Sequence, residues 1–430
     1  MPKLKVSTFR RGTHVPDMKY LSKDKPIEIM PAPERVYISM QQHIGKPANP
    51  IVAVGDNVKM GQLIGEKDGF ISANVYSSVS GVVEDIKEIS THAGKSRYVV
   101  IKNDGKDEIF KLDEIDKNDP SKIAERVGEA GLVGLGGAGF PTVVKISPKE
   151  KIDILLINGA ECEPYLTCDY RVMIETPELI VRGARYLSKA LGGAKIYIGI
   201  EENKPDAIEL LSKFEDVSVV PLKKKYPQGS EKQIIFACTG RKVGIGKLPA
   251  STGVCVINTQ TAVQTFFAVE HNEGLFMRVM TVTGKGIKEP KNLLVRNGTP
   301  YDEIIDFCGG LNDNARKIIA GGPMMGRIMS STVAYTRKTD SGILVLAKEE
   351  VNELDPSPCI NCGRCARACP MDLMPMYIDL YTHTGDYKKA DEYGASNCFE
   401  CGTCAYVCPA KRDLVGSVQL CKKKLRETKG

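Results

Sequence analysis

The segments PCINCGRCARACP, residues 358–370, and NCFECGTCAYVCP, residues 397–409, share the spacing C-x2-C-x2-C-x3-C-P. A cubane iron–sulfur cluster presents an iron at each of four corners. Three closely spaced thiolates wrap three corners in a tight turn, and the fourth cysteine of each motif points away toward the neighbouring cluster. The spacing therefore predicts two [4Fe–4S] clusters with crossed ligand sets. Cys359, Cys362, Cys365 and Cys408 surround one, and Cys398, Cys401, Cys404 and Cys369 surround the other. Pro370 and Pro409 stop each cysteine-bearing turn and redirect the chain. Structural zinc is the rival, but zinc motifs usually set two close pairs apart, whereas here three cysteines crowd together. The stretch from Leu373 to Tyr393 has helical composition and links the two halves.

Eight of the 14 cysteines lie between Cys359 and Cys408. A cytosolic chain does not keep disulfides, so clustered cysteines point to metal. The remaining six (Cys162, Cys168, Cys238, Cys255, Cys308 and Cys421) lack ligand spacing and are expected to be small buried hydrophobes. The 430 residues exceed one ordinary core and imply roughly two to four domains. Hydrophobic residues make up 42% and charged residues 26%, as in a folded soluble chain. The net charge of +6 is dispersed, which excludes a nucleic-acid face. No apolar run approaches the ~18 residues of a spanning helix, and MPKLKVSTFRRG has no signal-peptide stretch. The chain is expected in the cytosol or peripherally on the cytoplasmic face of a membrane, through partners. The terminal basic cluster Lys422, Lys423, Lys424 and Arg426 reads as a solvated helix end, with attraction to anionic lipid or an acidic partner as the sharper alternative.

The architecture expected is multidomain α+β. Residues 1–30 read as an extended arm. Residues 31–115 read as all-β, with short apolar pieces (Val36 to Ile38, Ile51 to Val54, Gln62 to Ile64, Gly81 to Val83) between turn signals. The stretch VGDNVKMGQLIGEKDGFISANVYSSVSGVVEDI resembles lipoyl and biotinyl carrier domains, which implies a β barrel-sandwich. Lys67 is the nearest counterpart of the modified lysine, but neither MKM nor DKA is present, so it reads as a solvated turn residue. Residues 116–275 alternate helix and strand patterns as in α/β folds: a helix from Ser121, its N-cap, to Ala130, a strand from Ile152 to Ile157, a helix from Pro177 to Leu191, a strand from Lys195 to Ile200 and a helix from Asp206 to Phe214. Residues 276–350 return to β and suit a small β-grasp-like domain. Residues 351–430 form an α-helical, bacterial-ferredoxin-like 2[4Fe–4S] module.

Gly131-Leu-Val-Gly134-Leu-Gly136-Gly137-Ala-Gly139-Phe140-Pro141 contains G-x-G-x-x-G. A dinucleotide fingerprint needs a strand before it and a helix opening within it; here a helix precedes it and Pro141 closes it. Such glycine density still lets backbone approach a ligand and present N–H groups to phosphate. Asn158-Gly-Ala-Glu161-Cys-Glu163-Pro164 follows a strand, and polar groups at the C-terminal end of an α/β strand are where ligands bind. Tyr226-Pro-Gln-Gly229-Ser-Glu231 and the segment from Gly253 through Asn258 and Thr259 to Thr261 supply more such groups.

These segments, in this order, resemble the NADH-oxidising flavoprotein subunit of respiratory complex I. Over residues 5–415 the chain is more similar to the C subunit of the Rnf ion-pumping electron-transport complex. That resemblance rests on RRGTHVPDMKYLSKDKPIE, INGAECEPYLTCDYRVM, EENKPDAIEL, KYPQGSEKQII, VTVTGKGIKEPKNLLVRNGTPYDEII, GGPMMG and both cysteine motifs. It implies that 116–275 binds FMN and NAD(H) and that 276–350 is of the SLBB type. FMN contacts would fall on Gly134, Gly136, Gly137, Gly139, Lys145, Asn158, Glu161, Tyr226, Gly229, Asn258 and Thr259. Nicotinamide-side contacts would fall on Phe140, Glu163 and Glu231. Leu135 stands where the complex I pattern has arginine, and Ala160 where it has aspartate.

The activity so implied is that of one component of an ion-translocating ferredoxin:NAD+ oxidoreductase, a translocase. Nicotinamides transfer hydride, clusters take one electron at a time, and a flavin does both. No side-chain acid or base is assigned. The implied partners are the other subunits of a membrane electron-transport complex, including an iron–sulfur subunit that meets ferredoxin, and the path for Na+ or H+ lies in them. Two alternatives are a soluble iron–sulfur flavoprotein serving a cobalamin or amino-acid reductase, and a non-catalytic iron–sulfur relay subunit.

Overall fold

The structure, a computed structural model, describes residues 6–330, 333–351 and 355–428. The barrel-sandwich places two antiparallel sheets face to face. One is ordered Arg35–Ser39, Gly94–Asn103, Gly81–Thr91 and Asn57–Val58; the other Asn49–Pro50, Leu63–Glu66 and Val75–Tyr76. Alternate residues of the Arg35–Ser39 strand point inward, so Val36 and Ile38 meet Ile64, Val75, Val83, Val99 and Ile101 in a sealed core. Each such side chain contributes about 1.5–3 kcal/mol on burial. The strand expected over Ile51 to Val54 is instead the pair Asn49–Pro50, and Ile51 and Val54 are exposed. The Asp56 carboxylate accepts the Ala53 N–H at 2.8 Å and turns the chain away from the ladder. Lys67 is exposed just beyond the Leu63–Glu66 strand.

The α/β domain holds four parallel strands in the order Val217–Leu222, Lys195–Glu201, Ile154–Gly159, Val254–Asn258. Strands buried on both faces read as continuous apolar runs, as in Ile154-Leu-Leu-Ile157. Its first strand is followed by two neighbours on one side, and the last strand joins on the other. The chain thus reverses direction across the sheet between Ile154–Gly159 and Val254–Asn258, and their C-terminal ends flank a crevice. The strand expected over Ile152 to Ile157 lies two residues later, and the helix expected from Asp206 to Phe214 is Pro205–Leu211. The helix expected to start at Ser121 runs Pro120–Glu129, capped by Asp119, whose carboxylate accepts the Ser121 N–H; Pro120 takes the first-turn position that needs no donor.

The β-grasp region is a six-stranded sheet whose edge strand, Ile27–Ile29, comes from the N-terminal arm and pairs in parallel with Lys291–Arg296. The cysteine module is helical: Arg364–Ala368, Pro375–His383, Tyr387–Glu392, Thr403–Tyr406 and Leu414–Glu427.

Lys338 locks three domains together. It is fully buried in the β-grasp region, and its backbone N–H donates to Gln42 Oε1 of the barrel-sandwich at 3.0 Å. Its Nζ donates to the Asn74 carbonyl at 2.5 Å and to the Gly131 carbonyl, at the base of the glycine-rich loop, at 2.8 Å. Burial pushes its amine down to about 7. An unfolded lysine titrates at about 10.4, so between about pH 7 and 10 the unfolded chain holds a proton that the folded chain has released. Stability rises with pH over that window. Thermal melts should show the wild-type Tm rising relative to that of Lys338→Met between pH 7 and 9. A gap that does not change with pH would mean that the buried amine stays charged.

Candidate functional site

The glycine-rich loop is pinched at its neck by an antiparallel bridge between Val133 and Pro141, with Gly134 N donating to the Phe140 carbonyl at 2.9 Å. The buried Leu135 anchors it in the core. Its N–H donates to Thr261 Oγ1 at 3.1 Å, and its carbonyl accepts from Arg278 at 3.1 Å. Gly139, at φ +73°, is pressed between the barrel-sandwich and the β-grasp region, where a Cβ would lie 3.1 Å from His43 and 2.6 Å from Thr339. Gly136, Gly137 and Ala138 form an exposed apex. A Cβ on Gly136 would stand 2.7 Å from Asn258 Nδ2, whereas one on Gly137 would meet nothing within 4 Å.

The apex faces the crevice between the C-terminal ends of Ile154–Gly159 and the edge strand Val254–Asn258. Asn158 and Asn258 are register partners at their ends. Asn158 donates to the Gly229 carbonyl at 2.7 Å. Asn258 caps the Thr259–Glu270 helix by accepting the Gln260 N–H at 2.9 Å and donates to Asp169 at 2.7 Å. Thr259 is fully buried with its hydroxyl unpartnered, as is the Nε2 of the buried Gln228. Buried polar atoms are normally satisfied, so both mark places where a bound group fits. Lys145 and Glu231 pair at 2.6 Å, partly exposed, with Lys145 also on the Val256 carbonyl. Phe140 is half-buried at the neck. The open apex, the orphan hydroxyl and the paired asparagines fit a flat, polar-edged group such as a flavin.

The acidic loop after Ile154–Gly159 is built differently. Glu161, at φ +43°, turns its carboxylate onto the N-terminus of the Cys168–Glu175 helix and accepts the Asp169 N–H at 2.7 Å. Burial pushes its carboxyl up to about 7, against the pull of Lys19 3.6 Å away. Lys19 donates to the Glu163 and Leu166 carbonyls, and the buried Lys204 donates to the Ala160 carbonyl at 2.7 Å. Burial lowers the Lys204 amine. Glu163 reaches the β-grasp region, accepting the Met324 N–H at 2.6 Å and the Met325 N–H at 3.1 Å. Tyr226, 1% exposed, donates its hydroxyl to the Cys401 carbonyl at 2.7 Å. The structure thus gathers the loop glycines, Asn158, Gly229, Asn258 and Thr259 at the crevice. Glu161, Glu163 and Tyr226 turn to the helix, the methionine turn and the cysteine module.

Cys369, Cys398, Cys401 and Cys404 line one cavity with Leu373, Ile378 and Val418. Burial pushes the Cys398 thiol up to about 11, and the nearby Cys401 and Cys369 add to the rise. Cys365 feels Cys408 and Cys359 in the same way. Cys362 is half-buried and Cys359 exposed. The two motifs repeat one backbone path: Asn361 and Glu400, Gly363 and Gly402, and Asp372 and Lys411 are left-handed at equivalent positions. Backbone N–H groups point at sulfur, Glu400 to Cys398 at 3.3 Å and Leu373 to Cys369 at 3.4 Å. Four soft donors around one apolar cavity fit a cubane. Of the basic terminal cluster, Lys422 is not solvated. Its helix packs back on the second motif, and its amine donates to the Cys398 carbonyl and pairs with Glu400 at 2.7 Å. Of the six other cysteines, Cys168, Cys255, Cys308 and Cys421 are buried, and Cys162 and Cys238 are partly so.

Asp169, Arg278 and Lys338 hold the crevice and its loop without having been singled out from sequence, and Thr261, named there among the strand-end polar groups, holds the loop at Leu135. Arg278 carries a signal. It is a charged residue inside the strand run Met277-Arg-Val-Met-Thr-Val-Thr283, 1% exposed, and a buried charge needs partners.

A family model described as the Nuo51 FMN-binding domain matches residues 127–266, and one described as the RnfC barrel sandwich hybrid domain matches 7–106. An SLBB domain matches 279–328 and a 4Fe-4S dicluster domain 352–409. The C subunit of the proton-translocating ferredoxin:NAD(+) oxidoreductase complex of Clostridium ljungdahlii is 47% identical, over 97% of this chain and 94% of its own. Its Na(+)-translocating counterpart in Acetobacterium woodii is 44% identical, over 98% of both chains. The C subunit of the ion-translocating oxidoreductase complex of Rhodobacter capsulatus is 41% identical, over 99% of this chain and 84% of its own. A solved NAD+-reducing [NiFe]-hydrogenase shares the fold at 16% identity and a TM-score of 0.50, over 70% of this chain and 63% of that one. With that identity sustained from end to end, and with barrel-sandwich, flavin, SLBB and dicluster regions in the same order, the chain belongs to the RnfC family, the C subunits of ion-translocating oxidoreductase complexes.

Proposed function

We propose that this chain is the NAD(H)-oxidoreducing subunit of a multi-subunit, ion-translocating ferredoxin:NAD+ oxidoreductase, and that it carries FMN and two [4Fe–4S] clusters. One observation carries the reading: the Tyr226 hydroxyl, on the segment that borders the flavin crevice, bonds to the carbonyl of the cluster cysteine Cys401. A nucleotide-binding sheet and an iron–sulfur module are thereby held as one body. A bound flavin supplies the exchange between hydride and single electrons. The protein's part is to hold, orient and exclude. The Gly136–Gly137 apex offers backbone at van der Waals range. Asn158, Asn258 and Thr259 offer polar atoms along the crevice floor, and Phe140 and Glu231 border the side for the nicotinamide, whereas the Glu163 carboxylate is taken up by the Met324 and Met325 N–H groups. Lys145 binds through its charge and holds Glu231 in place. Cys359, Cys362, Cys365 and Cys408 hold one cluster, and Cys369, Cys398, Cys401 and Cys404 the other.

No helix of the described residues is long and apolar enough to cross a membrane. The complexes to which the Clostridium ljungdahlii and Acetobacterium woodii relatives belong are named proton-translocating and Na(+)-translocating. The ion path therefore lies in partner subunits, among them one that exchanges electrons with ferredoxin, and this subunit sits peripherally on the cytoplasmic face.

Anaerobically prepared chain should contain about eight iron, about eight sulfide and one flavin; zinc in place of iron would end the redox reading. Gly137→Val has room in the fold and should abolish flavin retention while leaving cluster absorbance intact. Equal loss of both would remove the loop from the flavin site. The crossed ligand sets make a non-additive prediction. Cys359→Ser with Cys408→Ser should lose no more iron than either alone, whereas Cys398→Ser with Cys408→Ser should lose both clusters. The reverse pattern would give each motif its own cluster.

A further inference from the structure

We propose that the N-terminal arm is a positioning strap, with Arg11 and Gly12 seating the cluster module on the α/β domain. The arm crosses the α/β domain, the cluster module and the β-grasp sheet. At Ser7 it extends the edge of the parallel sheet, donating to the Pro221 carbonyl and accepting from Lys223 N, each at 2.9 Å. Phe9 is buried under Lys225, whose amine lies 4.5 Å from the ring centre and bonds to the Phe9 carbonyl. Thr13 and Tyr226 then exchange two backbone hydrogen bonds of 2.8 Å, which fixes the tyrosine that reaches Cys401. Beyond Lys19, on the acidic loop, the arm ends as the edge strand of the β-grasp sheet.

Between Phe9 and Thr13 the arm turns onto the module. Arg11 donates to the Ala366 carbonyl at 2.7 Å and pairs with Asp372 at 2.8 Å, and Gly12 N donates to the Ala368 carbonyl at 3.0 Å. These contacts bracket Cys369. From the other side Gln233 donates to the Pro370 carbonyl at 3.0 Å. Both arm residues are left-handed, Arg11 at φ +61° and Gly12 at φ +78°. A Cβ on Gly12 would lie 2.6 Å from the Tyr226 carbonyl, so glycine is required by close approach as well as by conformation. An arginine held in that region persists where its contacts over-determine it. Had the arm been a tail laid down by chance, it would not commit a strained arginine and an obligatory glycine to the module's backbone.

The geometry is independent of the cofactor assignment, but its consequence for electron transfer rests on the function proposed above. The test is Arg11→Ala in the full, cofactor-loaded chain, with Asp372→Asn as a second variant. Arg11 is partly exposed, so both variants should fold with flavin and iron contents unchanged. Hydrogen exchange in 366–372 should rise roughly tenfold in both, with the strands Val254–Asn258 and Gly94–Asn103 unchanged. In rapid mixing with NADH, bleaching of the flavin should keep its rate while bleaching of the clusters slows by roughly tenfold, the signature of a lost positioning contact. Unchanged exchange in 366–372 would overturn the strap. Faster exchange with unchanged cluster bleaching would overturn its role in electron transfer. Wild-type chain that holds no flavin would instead sink the proposed function and leave the exchange result readable.

Discussion

Asn158 and Asn258 stand opposite one another because the last strand of the α/β sheet joins on the far side of the first. That pairing sets the rest of the site. It opens a crevice between two strand ends, where no connecting segment fills the space. It places the N-terminus of the Thr259–Glu270 helix at the crevice floor, capped by Asn258 itself. It also dictates the composition of the loop opposite. Gly136 can have no side chain because Asn258 occupies the space, whereas Gly137 is free to keep its space for a ligand. The glycine pattern is thus two requirements superposed, one of packing and one of access.

The acidic loop beside the crevice solves a different problem, and its solution is costly. Carboxylates and amines taken out of water lose hydration that only good partners offset. Glu161 and Glu201 are both raised by burial, and Lys204 is lowered. Their neighbours are backbone groups as much as each other. Lys19 and Lys204 take up the carbonyls of Ala160, Glu163 and Leu166, and Glu161 takes up the helix N–H groups. A loop held from so many directions cannot drift, and Glu163 passes that rigidity to the Met324–Met325 turn. The Met324 carbonyl in turn lies against Gly402, beside the cluster cysteine Cys401, at a distance that leaves no room for a Cβ.

The cysteine motifs were legible because cluster geometry is imposed over a dozen consecutive residues, and the left-handed positions fall at the same places in both copies. The glycine loop was legible as a loop, and its neck between a helix and Pro141 stands as read. What sequence could not supply was any partner drawn from another domain. Lys338 gives no local signal, yet it fastens the base of the loop from the β-grasp region. Glu161 sits seven residues ahead of the helix it caps, outside the one-turn window in which capping patterns are sought. Lys422 looked like one more solvated lysine because its carbonyl acceptor belongs to a motif far back in the chain. Boundaries slipped by one to three residues, and at the first helix of the α/β domain the reason is simple: Asp119 and Ser121 are both good caps, and Pro120 between them decides for Asp119.

The crossed ligation proposed above would give the module a coherence that its small core does not. With three ligands from each motif on one cluster and one on the other, neither half could form its site alone. The apolar residues between, Leu373, Ile378, Ala390 and Val418, need only fill the space the clusters leave. Such a unit is rigid inside but has little surface of its own with which to grip a larger body. Its attachment therefore falls to the Arg11–Asp372 ion pair and to single hydrogen bonds at well-defined carbonyls, those of Ala366, Ala368, Pro370 and Cys401. All four lie on or beside the turns that carry the ligands Cys369 and Cys401. Bonding a carbonyl beside a ligand fixes that ligand's orientation more directly than bonding a remote helix would. The attachment points are thus placed where they constrain the metal site itself.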